Sequence, residues 1–467
     1  MPQAQTVDLP KRLPLVITPE NRDNTSVKDA KLVNCYMEKA GDGEYWLYKR
    51  SGLLYSSQPP GAAASGYGTY NWLGNIYTIF GATMYKDGVA LVGTLDTTNG
   101  VYRFDSCLGG TPKLIFGNGV KAYTYDSGAG IVQITDADFP ASFCKGWSYI
   151  NGTTYVMTPS AAIQGDDINT PQTWDPLNTL TAQISPDRGV ALAKQLVYVI
   201  ALKQWSTEVF YDAGNATGSP LGPVQGARAS YGCVSADSVQ SIDDILIWAC
   251  TNQSSAAQIV KMEGLKVQIV STDPIERLLD KADFTTTYSM QYKNIGHRLY
   301  ILTLVNSNIT LVYDLDENMW HQWTDVNGDY FPFVSTTYDS SRRHIFQHES
   351  NGKLYLADET YYTDAGDVIT VDIVTPNFDG GTNRRKQMTQ MKFIADQVEG
   401  SELLVRKNDN DYKVGYWSNF RTVDLSKQQP VMSNCGTFVR RAYNFRHQKA
   451  TFFRMKAIEL QMDLGTL

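Results

Sequence analysis

The sequence predicts an all-β chain: a β-propeller of six or seven blades followed by a C-terminal β-sandwich platform domain. Three observations carry this. Helical periodicity is nearly absent, and short apolar or alternating runs bounded by Gly, Asn, Asp and Ser take its place. Aromatics reach 12% and Gly numbers 37, which suits pleated half-buried surfaces joined by tight turns. Third, the runs pair into hairpin units that recur along most of the chain.

The units follow in order. Ile76–Phe80 leads through a turn to Met84–Gly88, and Val120–Tyr125 follows Gly117-Asn118-Gly119. Trp147–Ile150 leads through Asn151-Gly152 to Thr154–Met157, and Asn-Gly between two strands is a strong hairpin signal. Leu196–Leu202 leads to Glu208–Asp212, Ile245–Ala249 to Gln258–Met262, Leu299–Leu304 to Ile309–Asp314, and Arg343–Gln347 to Lys353–Ala357. With Tyr77, Tyr123, Tyr155, Tyr198, Ile247, Tyr300 and Tyr355 as markers, the steps are 46, 32, 43, 49, 53 and 55 residues. Steps of this size fit four-stranded blades. In each unit one strand is apolar enough to be buried on both faces. A set of unrelated β-sandwiches is the competing reading. The one helix expected is short, Asp273–Lys281, with Pro274 at a first helical position.

The domain reading is an N-terminal segment 1–66 that partly joins the platform, a propeller over 67–377, a Gly-rich linker 378–383 and a sandwich over 384–467. In the last part the strands expected are Gln390–Ile394, Leu403–Lys407, Phe438–Phe445 and Phe452–Leu464. Met455, Ala457, Ile458, Leu460 and Met462 nearly alternate with charged and polar neighbours, as on a strand with one wet face.

Charge and cysteine usage narrow the function classes. The net charge of −7 argues against a sequence-reading nucleic-acid binder, which carries a basic stripe. The charge is uneven: residues 384–467 hold 15 Lys and Arg against 8 Asp and Glu, and the rest holds 26 against 40. That predicts either chance variation or a basic end that docks on an acidic neighbour. Cys35, Cys107, Cys144, Cys233, Cys250 and Cys435 are widely spaced and form no CxxC, so they read as reduced core residues. Met1–Thr18 has no long apolar run, and no stretch of 18 apolar residues occurs anywhere, so neither a signal peptide nor a transmembrane helix is expected.

A search for chemistry assigns no catalytic, cofactor-binding or metal-ligating residue. His344 and His348 have the i,i+4 spacing of a helical metal site but lie in a strand-like run. Asp166-Asp167 reads as a solvated turn, and Asn408–Asp411 as a turn resembling a Ca²⁺ loop without its glycine and terminal Glu. No G-x-S-x-G elbow or phosphate-binding Gly loop is present. A propeller glycosidase or carbohydrate-binding protein is the rival class, but the scattered arginines Arg103, Arg188, Arg228, Arg277, Arg298, Arg342 and Arg343 pick out no site. The aromatic stretches Tyr361-Tyr362 and Met319–Trp323 would either stack sugars, meet a partner or pack in the core. A scaffold propeller of a cellular complex is a third class; no WD-type repeat supports it.

Several segments resemble one family. Leu32-Val33-Asn34-Cys35-Tyr36-Met37 leads to Leu47–Leu53, which is similar to a family opening with a Pro-Gly-Leu turn; Ser51 stands where proline is expected. The most specific segment is Ser206-Thr207-Glu208-Val209-Phe210-Tyr211-Asp212-Ala213-Gly214-Asn215, followed by Gly232–Val239, Trp248 and Ser271–Glu276. Arg440-Arg441 to Leu464-Gly465 resembles the closing strands. Together these resemble the packaged-DNA stabilisation, or tail-hub (nozzle), proteins of short-tailed bacteriophages. The resemblance implies a non-enzymatic virion protein of the tail, made in the host cytoplasm, with no cofactor and no membrane insertion. It implies a ring, expected as a hexamer, that extends the portal and head-to-tail adaptor channel. Such a ring retains packaged DNA, lets it pass during ejection without sequence-specific binding, and supports tail fibres or tailspikes and a plug or needle.

Overall fold

The computed structural model describes residues 11–17, 30–41, 43–254, 256–294 and 296–464. The reading of 1–18 as free of a leader run falls mostly outside this set. The chain divides into two units: one of residues 55–310 and 330–357, the other of 1–54, 311–329 and 358–467.

The first unit is the propeller. Its first four-stranded sheet runs Gly66–Trp72, Asn75–Phe80, Thr83–Lys86, Val89–Ala90, each strand antiparallel to the next. Four more such sheets follow: Arg103–Cys107 to Gly130–Gln133, Ser148–Ile150 to Thr170–Thr181, Gly189–Gln195 to Leu221–Pro223, and Gln240–Ile242 to Lys266–Ile269. The hairpin Thr287–Asn294/His297–Leu304 begins a sixth repeat, and Phe333–Tyr338, His344–His348 and Leu354–Asp358 make a seventh. First strands are neighbours from the first repeat to the fourth and from the fifth to the seventh, the fourth and fifth repeats share one core, and Phe333–Tyr338 returns to Gly66–Trp72, so the ring closes on seven.

Second strands explain the apolar runs. Thr153–Met157 and Ile245–Cys250 are buried along their whole length because other sheets cover both of their faces. Asn151 (φ 50°) and Gly152 (φ 96°) make the expected Asn-Gly turn. The helix is Asp273–Leu279, with Pro274 in its first turn and Ile275 and Leu279 turned inward. Two details differ from the sequence reading. Leu196 (φ 53°) and Val197 are exposed turn residues, and the strand starts at Tyr198. Tyr123 and Tyr355 sit on third strands while the other markers sit on second strands, which accounts for the irregular steps.

Closure depends on side chains as well as strands. Gly68 N–H donates to Gln347 Oε1 at 2.8 Å, Gln347 Nε2 donates to Ile79 O at 2.7 Å, and Thr69 and Ser335 hydroxyls meet at 2.9 Å. Gln58 Nε2 reaches Asn351 O, and Tyr55 packs edge-on against Tyr355. A Cβ on Gly66 would lie 2.5 Å from His348 O, so the seam tolerates no side chain there.

In the second unit two sheets share one core. One sheet runs Cys35–Lys39, Tyr45–Lys49, Arg454–Leu464, Lys386–Ala395, Val431–Phe438, with Lys11–Leu13 also on Arg454–Leu464. The other contains Met319–Gln322, Lys31–Val33, Val371–Val374, Ala442–His447, Glu402–Asn408 and Arg421–Asp424. Met37, Leu47, Met391, Phe393 and Leu460 of the first meet Leu32, Ile373, Leu403, Val405 and Phe445 of the second. The strands thus come from three stretches of the chain. The expected single strand Phe438–Phe445 is two strands, parted at Val439–Arg441. Arg441 is fully buried there and donates to Cys435 O, Thr437 O and both Asp409 oxygens, so it anchors the turn that breaks the run.

Candidate functional site

The first strands of six repeats, and Lys145–Trp147 just before the first strand of the third, line a cavity of about 270 Å³. Three cations, Arg103, Lys145 and Lys194, reach its wall, and no Asp or Glu does. Lys145 Nζ lies 2.7 Å from Asp237 Oδ2, and an Arg103 Nη lies 3.6 Å from Asp237 Oδ1 and donates to Ala236 O at 3.1 Å. Asp237 stands on the short 3₁₀ turn Ala236–Ser238, whose Ser235 side chain accepts the Asp237 N–H. Burial pushes the Lys145 ammonium below its ordinary range, with Asp237 opposing that and Arg103 adding to it. Lys194 Nζ donates to Tyr149 O at 2.6 Å. Tyr70 and Phe104 stack at 5.4 Å on the same wall, and Thr336 Oγ1 is buried without a hydrogen-bond partner.

A second charged set, Lys203, Asp187 and Glu208, reaches into the most specific sequence segment through Glu208. Lys203 Nζ contacts Glu208 Oε1 at 2.5 Å and Asp187 Oδ1 at 3.0 Å, and all three side chains are at most 2% exposed. Lys203 also donates to Ala182 O and Ser185 O. Asp187 accepts Trp205 N–H and Ser206 Oγ–H; these partners and Lys203 hold its carboxyl below the usual range against the opposing effect of burial. The arrangement fixes the Gln204–Ser206 turn and leaves every charge occupied. Its signal in the sequence is a lysine ending an apolar strand with a glutamate five residues on.

The residues singled out from sequence are placed as follows. His344 and His348 lie on one strand among aromatic rings: His344 is 5.1 Å from Tyr292, and His348 5.4 Å from Phe333. Burial pushes both imidazoles down to about 4. Asp166 is not in a solvated turn; it is 1% exposed at a bulge in Ala162–Asp167, and its Oδ1 accepts Thr154 N–H at 2.6 Å. Burial pushes its carboxyl up to about 7. In Asn408–Asp411, Asp409 pairs with Arg441, and Asp411 with Arg440 and Asn377. Trp320, His321 and Trp323 are core residues, and Tyr362 packs on Phe452 at 5.7 Å. All six cysteines are buried and unbridged, and burial pushes the Cys144, Cys233 and Cys250 thiols up to about 12. Among the described residues no group of three or more His, Cys, Asp and Glu side chains is placed to hold a metal ion, and no helix is long and apolar enough to cross a membrane.

The basic tail is largely neutralised inside its own unit. Asp372 meets Lys31 and Arg446, Glu44 meets Arg12 and Lys456, Asp396 meets Arg454, and Glu402 meets Lys449. The unit as a whole holds 23 Lys and Arg against 26 Asp and Glu, and the propeller unit 18 against 22. The asymmetry along the sequence is therefore absent between the units. Segments 311–329 and 358–383, with 11 Asp and Glu and no Lys or Arg, bring the balancing acids.

Fold and buried charges define a β-propeller protein with an accessory two-sheet unit. The chain belongs to the phage-stabilisation family described as Bacteriophage P22 Gp10, beta-propeller, whose model matches residues 12–361. No curated protein matches the chain. Among solved structures it is similar to virginiamycin B lyase from Staphylococcus aureus (9% identity, 66% of this chain, 98% of that one, TM-score 0.43). It is also similar to the N-terminal domain of Nup159 (11%, 70%, 99%, 0.38) and to the computationally designed Ika8 protein (9%, 66%, 99%, 0.38). At these scores the three carry no argument about activity.

Proposed function

We propose that this bacteriophage propeller protein is a non-enzymatic tail hub, or nozzle. In this reading it extends the portal–adaptor channel, retains packaged DNA and passes it at ejection. The observation that carries the reading is the family match over 12–361. Two physical features support it. The axial space of one propeller is about 270 Å³, room for about nine waters of about 30 Å³ each, so a DNA conduit has to be built between copies. The net charge of −7 disfavours tight capture of phosphate by the surface as a whole, which suits a conduit through which DNA slides. The two-sheet unit is the proposed docking platform for the adaptor, with fibres or spikes and a plug as further partners.

The test is the solution mass of the purified chain, alone and mixed with a portal–adaptor assembly. A ring of about six chains on the assembly is the expected result. A monomer indifferent to the assembly would reject the reading.

A further inference from the structure

The axial cavity has an imbalance of charge and of hydrogen-bond donors. Arg103 offers five N–H donors and Lys145 three. Among the described residues Arg103 spends one donor on Ala236 O, and Lys145 spends one on Asp237. One carboxylate thus stands behind two cations, and Lys194 adds a third at the wall. Asp105, the next carboxyl, does not line the cavity; its oxygens accept Ser106 N–H and Tyr149 N–H. The Lys145 side chain is 8% exposed and lines the cavity. A bound oxyanion would accept charge-assisted hydrogen bonds from the remaining donors of both side chains.

We propose that the axial cavity is a phosphate-class oxyanion site, with Arg103 and Lys145 as the binding residues and Lys194 adding positive potential. Asp237 is the competing internal anion that positions both and sets the affinity. The ion joins strands from several repeats, so its binding stabilises the ring by linkage. The source of the phosphate is either the free ion or a nucleotide, and the two are told apart by the probe.

The experiment is isothermal titration of the full chain with inorganic phosphate and, separately, with deoxyadenosine 5′-monophosphate, at fixed ionic strength. Binding heats are preferred to melting shifts because phosphate also stabilises proteins by surface exclusion. Saturable binding at one site per chain is expected. Arg103→Gln should weaken it by about tenfold or more, and Asp237→Asn should tighten it, since the competing anion is gone. Circular dichroism checks that each variant is folded, and the two opposite shifts separate binding from a framework role. Saturation by inorganic phosphate alone assigns the free ion, and tighter binding of the nucleotide assigns the ester. Absence of saturable binding with either probe, or a folded Asp237→Asn chain that does not bind more tightly, overturns the proposal.

Discussion

Gln347 holds Gly68 across 279 positions of sequence: its carboxamide oxygen accepts the Gly68 N–H, while its Nε2 donates to Ile79 O. The side chain is fully buried, so both bonds form away from water. Gln347→Leu keeps the volume and strands one N–H and one carbonyl. The expected cost is about 1–3 kcal/mol, read as a lower urea midpoint for the propeller unit. An unchanged midpoint would show that the strands close the ring unaided.

The Lys203 ammonium bridges two buried carboxylates. Lys203→Met leaves Asp187 and Glu208 facing each other without a cation, which should cost about 3–5 kcal/mol. Lys203→Met combined with Glu208→Met removes one of the stranded charges and should recover part of the loss. Thermal melts of the two variants check this order, and equal melting temperatures would refute it.

Asp166 predicts a pH response. Its folded carboxyl sits at about 7 against an ordinary 3.8, so the folded state keeps the proton longer than the unfolded chain. Its contribution is complete below 3.8 and is lost as pH rises through about 7. From 3.8 up to about 7 the natural chain should therefore lose melting temperature relative to Asp166→Asn, and the difference should level off above about 7. Parallel curves would show that the carboxyl titrates normally.

His344 predicts the opposite slope at lower pH. Its folded imidazole is held at about 4 against 6.5, so its contribution is present above 6.5 and lost as pH falls through about 4. His344→Phe keeps an aromatic ring against Tyr292 and Tyr338 without the charge. It should flatten the stability loss between pH 6 and 4 in denaturant titrations; an unchanged slope would count against the assignment.

Local features were legible in the sequence. The Asn151-Gly152 turn, the Asp273–Leu279 helix and the buried second strands follow from residue chemistry within a few positions. Phase and partnership were not. Leu196 and Val197 are as apolar as any strand residue, and only the left-handed backbone at Leu196 makes them a turn. The break inside Phe438–Phe445 depends on Arg441 finding Asp409, 32 positions earlier. The local balance of the positive charge after residue 384 was not legible either, because its acids, such as Glu44 and Asp372, are remote in sequence. The set of Arg103, Lys145 and Asp237 is likewise spread over three repeats, and no local motif marks it.

The seam between the first and seventh repeats also sets a schedule for synthesis. At roughly 5–20 residues per second, the 279 positions from Gly68 to Gln347 take about 15–55 s to translate. During that interval the early repeats are an open arc whose terminal sheet has no neighbour. The strands of residues 11–49 wait longer still, because their partner Arg454–Leu464 is made at the end of the chain. The propeller unit can close once residue 357 has been made, whereas the two-sheet unit waits for Arg454–Leu464, so a chain stopped between these points carries a closed ring beside strands without their partners.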